Sequence, residues 1–250
     1  MEEWSDQGIV LSARSHGEGG AVLSLLTEKH GRHNGYLHGA KSSRLRGMIE
    51  PGSLLDVTWK SRVSDQLGTY SFEHGVNRSA MLLDEPLKLS ALLSACSLCD
   101  AALPEREIHA GLFYGMTAMM NNLQSEIWAA AYVMWEIALL KELGFGVDLT
   151  RCVAGGSSGE LTHVSPKSGC AVSREKAEPY KDKLLKLPDF LAGRGLSEET
   201  SPDILDGLKL TGYFLTNWVF GHHSQGIPEA RLRFQSLFAK TVADHIESAA

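Results

Sequence analysis

The sequence predicts an α+β chain, with a small five-stranded β-barrel at the N-terminus and an all-helical domain after it. Two observations carry this. Between residues 7 and 74 the apolar residues come in short β-rich runs broken by glycine turns, and after residue 80 they recur at three- and four-residue spacing. The predicted boundaries are 1–80 for the barrel and 81–250 for the helical domain, the latter carrying a Gly/Ser-rich insert at 145–172.

QGIVLSA (7–13) and AVLSLLT (21–27) are aliphatic and β-branched, and SHGEGG between them is a turn signal. HGRHNG (30–35) reads as a second turn, leading into YLHGA. SLLDVTW (53–59) alternates, with Leu55, Val57 and Trp59 on one face and Asp56 and Thr58 on the other. VSDQLG (63–68) turns the chain into TYSFEH (69–74), which alternates again. Five strands in so short a span suit closure, which leaves no free sheet edge.

Helices follow over 84–103, 106–123 and 125–144, with Asp84 and Ser125 as expected caps and Gly144 as a stop. The third has two apolar stripes: Ile127, Ala131, Met134 and Ala138, and Trp128, Tyr132, Trp135 and Leu139. Such a helix is expected to lie buried within a bundle. Helical pattern returns at 174–187, 202–220 and 228–248.

Composition narrows the class. At 43% apolar and 22% charged residues the chain is globular. The start, MEEWSDQGIV, is acidic where a secretory signal is basic, and the apolar run WAAAYVMW (128–135) is far too short to span a bilayer. No membrane association is expected, and four cysteines do not suggest a disulfide scaffold, so the expected location is cytoplasmic.

Enzyme motifs are absent. GEGG (17–20) lacks the third glycine of a dinucleotide loop and the Lys-Ser/Thr of a P-loop. No GxSxG or HExxH occurs, and the adjacent His222 and His223 point in different directions. No catalytic residue is therefore expected. Cys96 and Cys99 have CxxC spacing but sit in an apolar helix, where cysteine behaves as a small hydrophobe. Cys152 and Cys170 flank the insert and His163 lies between them. Three donors fall one short of a structural zinc site, so no cofactor is expected.

Charge singles out one stretch. The chain is net −6, yet no carboxylate occurs between Glu28 and Glu50, and GAKSSRLRG (39–47) carries Lys41, Arg44 and Arg46. A focused cationic patch binds an anion even on an acidic protein. With Arg14, Lys60 and Arg62 on or beside neighbouring strands it forms a candidate DNA-binding surface. Trp59, Tyr70 and Phe72 serve either as stacking platforms or as packed barrel core, the commoner fate of such residues.

Several segments together are similar to a known family. GIVLSARSHGEGGAVLSLLTEKHG, GAKSSRLRGMIEPGSLLDV, AAAYVMWEIALLKELGFGVDLTRC and IPEARLRFQSLF resemble, along nearly the whole chain, the bacterial RecO DNA repair proteins. The resemblance implies an OB-fold DNA-binding barrel and a helical domain. It implies a recombination mediator that binds single- and double-stranded DNA, anneals complementary strands and, with RecR, helps load RecA. It also implies a contact with the C-terminal tail of single-stranded DNA-binding protein, and a nucleoid-associated place in the cytoplasm. For that acidic, apolar-ended tail, Lys141 and the pair Arg231 and Arg233 are candidate receptors. Many relatives carry four cysteines where this chain keeps Cys152 and Cys170, so the insert reads as a degenerate zinc ribbon, and Ser42 stands where glycine is usual after the loop lysine. A non-catalytic protein adaptor and an RNA-binding barrel are the alternatives, since barrel and charge fit RNA as well.

Overall fold

The computed structural model of this 250-residue protein describes residues 1–63, 66–157, 160–195 and 201–249. Parts of the turn expected at 63–68 (residues 64 and 65) and of the Gly/Ser insert (158 and 159) lie outside the described residues.

Five strands come first: β1 (Glu2–His16), β2 (Gly20–Thr27), β3 (Gly31–Leu37), β4 (Leu54–Ser61) and β5 (Thr69–Val76), with a short helix α1 (Ser43–Met48) between β3 and β4. They pair in the cyclic order β1-β2-β3-β5-β4, and β4 returns to β1. β1 is far longer than its apolar segment. Its first half pairs with β4, from Glu2↔Ser61 to Ile9↔Leu54, and its second half with β2, from Gly8↔Thr27 to His16↔Gly20. One strand can serve both neighbours because a bulge between Val10 and Ser12 bends it.

The alternation of β4 holds as expected. Leu55, Val57 and Trp59 point inward and join Val10, Leu23, Leu25, Leu37 and Tyr70 in the barrel core. The expected turn at 30–35 is instead mostly strand, because β3 begins at Gly31. Gly35 is the reason it passes there: a Cβ would fall 2.4 Å from the ring of Tyr70.

His33, inward on β3, lies edge-on to Trp59 with centroids 4.8 Å apart. Burial pushes its pKa down to about 4. The unfolded chain takes up this proton near pH 6.5, so the folded state loses stability as pH falls from about 6.5 towards 4. The expected loss is about 2 kcal/mol by pH 4.5, allowing for solvent near the ring. Urea unfolding of the native protein and His33→Asn at pH 7 and 4.5 checks this, and an equal pH dependence in both would refute it.

The period changes near residue 80, but packing divides elsewhere. The compact units are Met1–Met116 and Thr117–Ala250. The first unit includes α2 (Pro86–Ala102) and the segment after it. Arg32 Nε donates to the Leu103 carbonyl at 2.7 Å, and Arg14 pairs with Asp100 of α2 at 2.8 Å. Gly31, at φ +67°, is needed there, since a Cβ would lie 1.8 Å from the Glu107 carbonyl oxygen. Cys96 and Cys99 are buried in α2, and burial pushes the Cys96 thiol up to about 12. They act as small apolar residues, as expected of cysteines in an apolar helix.

The division falls inside α3 (Ala110–Asn122). The second unit holds α4 (Trp128–Glu142), a three-stranded sheet in the order β7-β6-β8, α5 (Arg174–Ala177), α6 (Pro202–Phe214) and α7 (Glu229–Ala249). The strands are β6 (Leu161–Val164), β7 (Ala171–Ser173) and β8 (Leu185–Lys186). The helix expected over 174–187 is absent: α5 lasts one turn, a 3₁₀ segment carries Pro179, and β8 follows. In α4 the Trp128, Tyr132, Trp135 and Leu139 stripe is buried, while Met134 of the other stripe is 56% exposed. The helix is therefore buried on one side rather than all round. Neither Asp84 nor Ser125 is a cap, since the cap positions are Glu85 and Ile127, but Gly144 at φ +83° does end the helix.

Candidate nucleic-acid interface

GAKSSRLRG leaves β3 through Gly39 (φ +68°) and forms α1. The Ser42 hydroxyl caps it by accepting from the Leu45 N–H at 3.4 Å. Ala40 and Ile49 on either side are buried in the barrel core and hold the segment down. Between these anchors Lys41, Arg44 and Arg46 are exposed.

The three cations are not one cluster. Arg44 and Arg46 are two apart on a helix and so diverge. Arg46 lines a cleft of about 360 Å³ with Lys41, Ser12, Ser15 and Gly20, and Glu50 lies in the same lining without pairing, among the described residues, with either cation. On the other side a groove of about 430 Å³ is lined by Leu45 of α1 with Leu37, His38, Lys60, Tyr70 and Phe72. Lys41 Nζ also donates to the Glu18 carbonyl at 2.5 Å, which ties α1 to the β1–β2 turn. Among the described residues, none of the three cations pairs with a carboxylate.

The weaker candidates divide. Lys60 pairs with Glu3 at 2.9 Å, with both side chains about half exposed, an ion pair worth little. Arg62 is exposed just past β4. Arg14 is exposed too, but its guanidinium is held by Asp100. Trp59 and Tyr70 are core residues, so packing wins for both, while Phe72 is half-buried.

Sequence reasoning missed Tyr36. It alternates outward on β3 with Arg32 and Asn34, and its hydroxyl lies over Gly20, where a Cβ would come within 1.9 Å. The rings of His16 and His38 flank it edge-on at 6.1 and 4.7 Å. Reading 31–37 as a strand would have found this row.

Of the receptor candidates in the second unit, Arg231 is corrected. It is fully buried, with Nε 2.5 Å from Glu136 Oε1 and Nη2 3.0 Å from Glu136 Oε2. It cannot meet a peptide at the surface. Arg233 is exposed and pairs with Glu229 one turn away, and Lys141 is exposed in the last turn of α4.

In the insert, the Cys152 thiol receives the Ser173 N–H at 3.2 Å. Burial pushes its pKa up, but hydrogen bonds from the Ser173 hydroxyl and from the N–H groups of Ser173, Gly156 and Ala154 outweigh this and bring it to about 7. Cys170 Sγ donates to the Ser168 carbonyl at 3.5 Å. Burial, then the charges of Lys181 and Lys186, lower the pKa of His163. Among the described residues no three His, Cys, Asp or Glu side chains are grouped to hold a metal ion. Nor, among these residues, is any helix long and apolar enough to cross a membrane.

The family model described as Recombination protein O N terminal matches residues 1–75, and that described as Recombination protein O C terminal matches residues 83–225. A DNA repair protein RecO of Rhodospirillum centenum is 48% identical over 240 residues, 95% of each chain. The RecO protein of Caulobacter vibrioides is 45% identical over 92% of this chain and 95% of its own. That of Ruegeria is 40% identical over 96% of this chain and all of its own. With both family models matched in order and such relatives aligned nearly end to end, the chain belongs to the RecO family of DNA repair proteins.

Proposed function

We propose that this protein is a non-catalytic recombination mediator. It binds single- and double-stranded DNA through the barrel, anneals complementary strands and, with RecR, helps load RecA onto DNA coated by single-stranded DNA-binding protein. It works in the cytoplasm, associated with the nucleoid. The observation that carries the DNA-binding reading is the α1 segment: Lys41 just before the helix and Arg44 and Arg46 on it, exposed and unpaired with carboxylates among the described residues, on a barrel flanked by two open clefts. Phosphate binding needs no deep pocket, only uncompensated cations at the surface. The tail of single-stranded DNA-binding protein is assigned to the second unit, with Lys141 and Arg233 as its cations.

Binding titrations over a series of salt concentrations test this. Single-stranded DNA should bind with log K falling linearly in log salt. RNA bound more tightly than DNA at every salt would favour the RNA-binding alternative, and no binding to either would favour the adaptor.

No zinc is expected in the insert, because only two ribbon cysteines, Cys152 and Cys170, remain where a structural site needs four ligands. Metal analysis of purified protein should find well under one zinc per chain. Stoichiometric zinc that disappears on Cys152→Ser would overturn this.

A further inference from the structure

The barrel wall is narrowest between β3 and β5. These strands pair only at Tyr36↔Thr69 and Leu37↔Tyr70, whereas the other neighbours pair over seven or eight residues. Past Leu37 the chain turns away at Gly39 into α1, and the 430 Å³ groove opens at this seam. Its floor is Leu37 and Tyr70, both nearly fully buried. Leu45, His38 and Phe72 wall it and Lys60, in its exposed and weak pair with Glu3, stands at the rim; among the described residues the lining itself holds no carboxylate.

Charge changes abruptly further along the same strands. The next groove shares Ser71 and Phe72 with the first but is lined by four carboxylates, Asp6, Glu28, Asp56 and Glu73, against one lysine, Lys29, and His74. A polyanion is repelled there and attracted towards α1. The volume suits a small planar ligand, and such sites are largely apolar with a few polar groups.

We propose that the groove at the β3–β5 seam takes one unstacked nucleobase of a single strand. Phe72 and His38 supply the rings against it, and Lys60 and the α1 cations hold the flanking phosphates. The acidic groove turns the strand across α1 instead of along β5. This rests on the DNA-binding reading above and adds strand selectivity to it. A base in a duplex cannot enter without leaving its stack, whereas single-strand binding combines cations with stacking rings that accept any base.

The test uses the full-length protein, an oligothymidine and a duplex of equal length. Phe72→Leu keeps an apolar side chain but removes the ring. Single-strand affinity should fall about tenfold, with duplex affinity and the salt slope unchanged. His38→Ala, at an exposed position, is the second variant should Phe72→Leu unfold, with the same selective loss expected. Photocrosslinking of 5-iodouracil oligonucleotides should label peptides that contain His38 or residues 69–72. Unchanged single-strand affinity, an equal loss on duplex, or crosslinks confined to the Lys41 and Arg46 cleft would overturn the proposal and leave DNA binding standing. Failure of the native protein to bind any nucleic acid would remove the underlying reading as well.

Discussion

Glu136→Gln is expected to destabilise the second unit by about 3–5 kcal/mol. Glu136 on α4 and Arg231 on α7 are both fully buried, and the pair is hydrogen-bonded throughout. Glu136 accepts from Arg231 through both oxygens, from Tyr132 Oη at 2.9 Å and from Thr211 Oγ1 at 2.5 Å. Arg231 also donates to the Leu208 carbonyl at 2.8 Å and to Gln235 at 3.0 Å. The network thus ties α4, α6 and α7 at one point. Removing only the negative charge leaves a guanidinium buried without a counter-charge, which is the costly case. Domains have only about 5–15 kcal/mol in total, so much of the stability would go. Replacing both partners, as in Glu136→Leu with Arg231→Met, should cost far less than the two single changes added, since two apolar groups leave no charge unpaired. Hydrogen exchange read over 128–142 and 229–249 measures this. A loss under about 0.5 kcal/mol for Glu136→Gln, the range of ordinary surface changes, would show that the pair is not the tie described.

Replacing Lys41, Arg44 and Arg46 together by Ala should weaken single-stranded DNA binding and annealing in step, with little dependence on base sequence. The slope of log K against log salt should flatten by roughly 0.7 for each phosphate no longer neutralised, and so by up to about 2 if all three cations are engaged. Arg44 and Arg46 diverge, and Lys41 already gives one N–H to Glu18, so a flattening of about 1.4 would mean that two of the three take part. Charge reversal to Glu should weaken binding further. The fold should move by no more than about 0.5 kcal/mol, as the three side chains are exposed. Unchanged affinity and slope would make α1 an ordinary solvated surface and favour the adaptor reading.

Local pattern read the barrel well where one face was apolar. Alternation alone puts Leu55, Val57 and Trp59 on one face of a strand, and all three are buried. Pattern failed where polar residues formed strands. Glu2–Asp6 belongs to β1 only because β4 lies beside it, and no local signal carries that pairing. In β3 the glycines looked like turn residues, yet Gly31 and Gly35 are there because Glu107 and Tyr70 approach too closely for a Cβ. Tyr36 was missed with them. In the second unit, Arg231 looked like helix-surface charge because its partner is 95 residues away in sequence. Its place next to Leu232, which is exposed, and Phe234, which is buried, gave no hint of which way it pointed. The basic stretch was legible because charge needs no partner to be noticed, but its split into two directions depended on α1 forming at all.

The packing of α2 and its following segment onto the barrel has a consequence for chimeras between relatives. The two family models leave a gap between residues 75 and 83, which invites a splice there. Such a hybrid would join a barrel from one parent to an α2 from another. Arg14 would have to find an acid where Asp100 stands, and Arg32 a free carbonyl at Leu103. Gly52 would also need a neighbour shaped like Leu92, whose side chain already lies within 2.9 Å of where a Cβ would be. A splice after Met116 keeps all of these matched pairs within one parent. Hybrids joined at the two places should therefore differ in soluble yield, with the later junction inheriting a barrel that already fits its own helix.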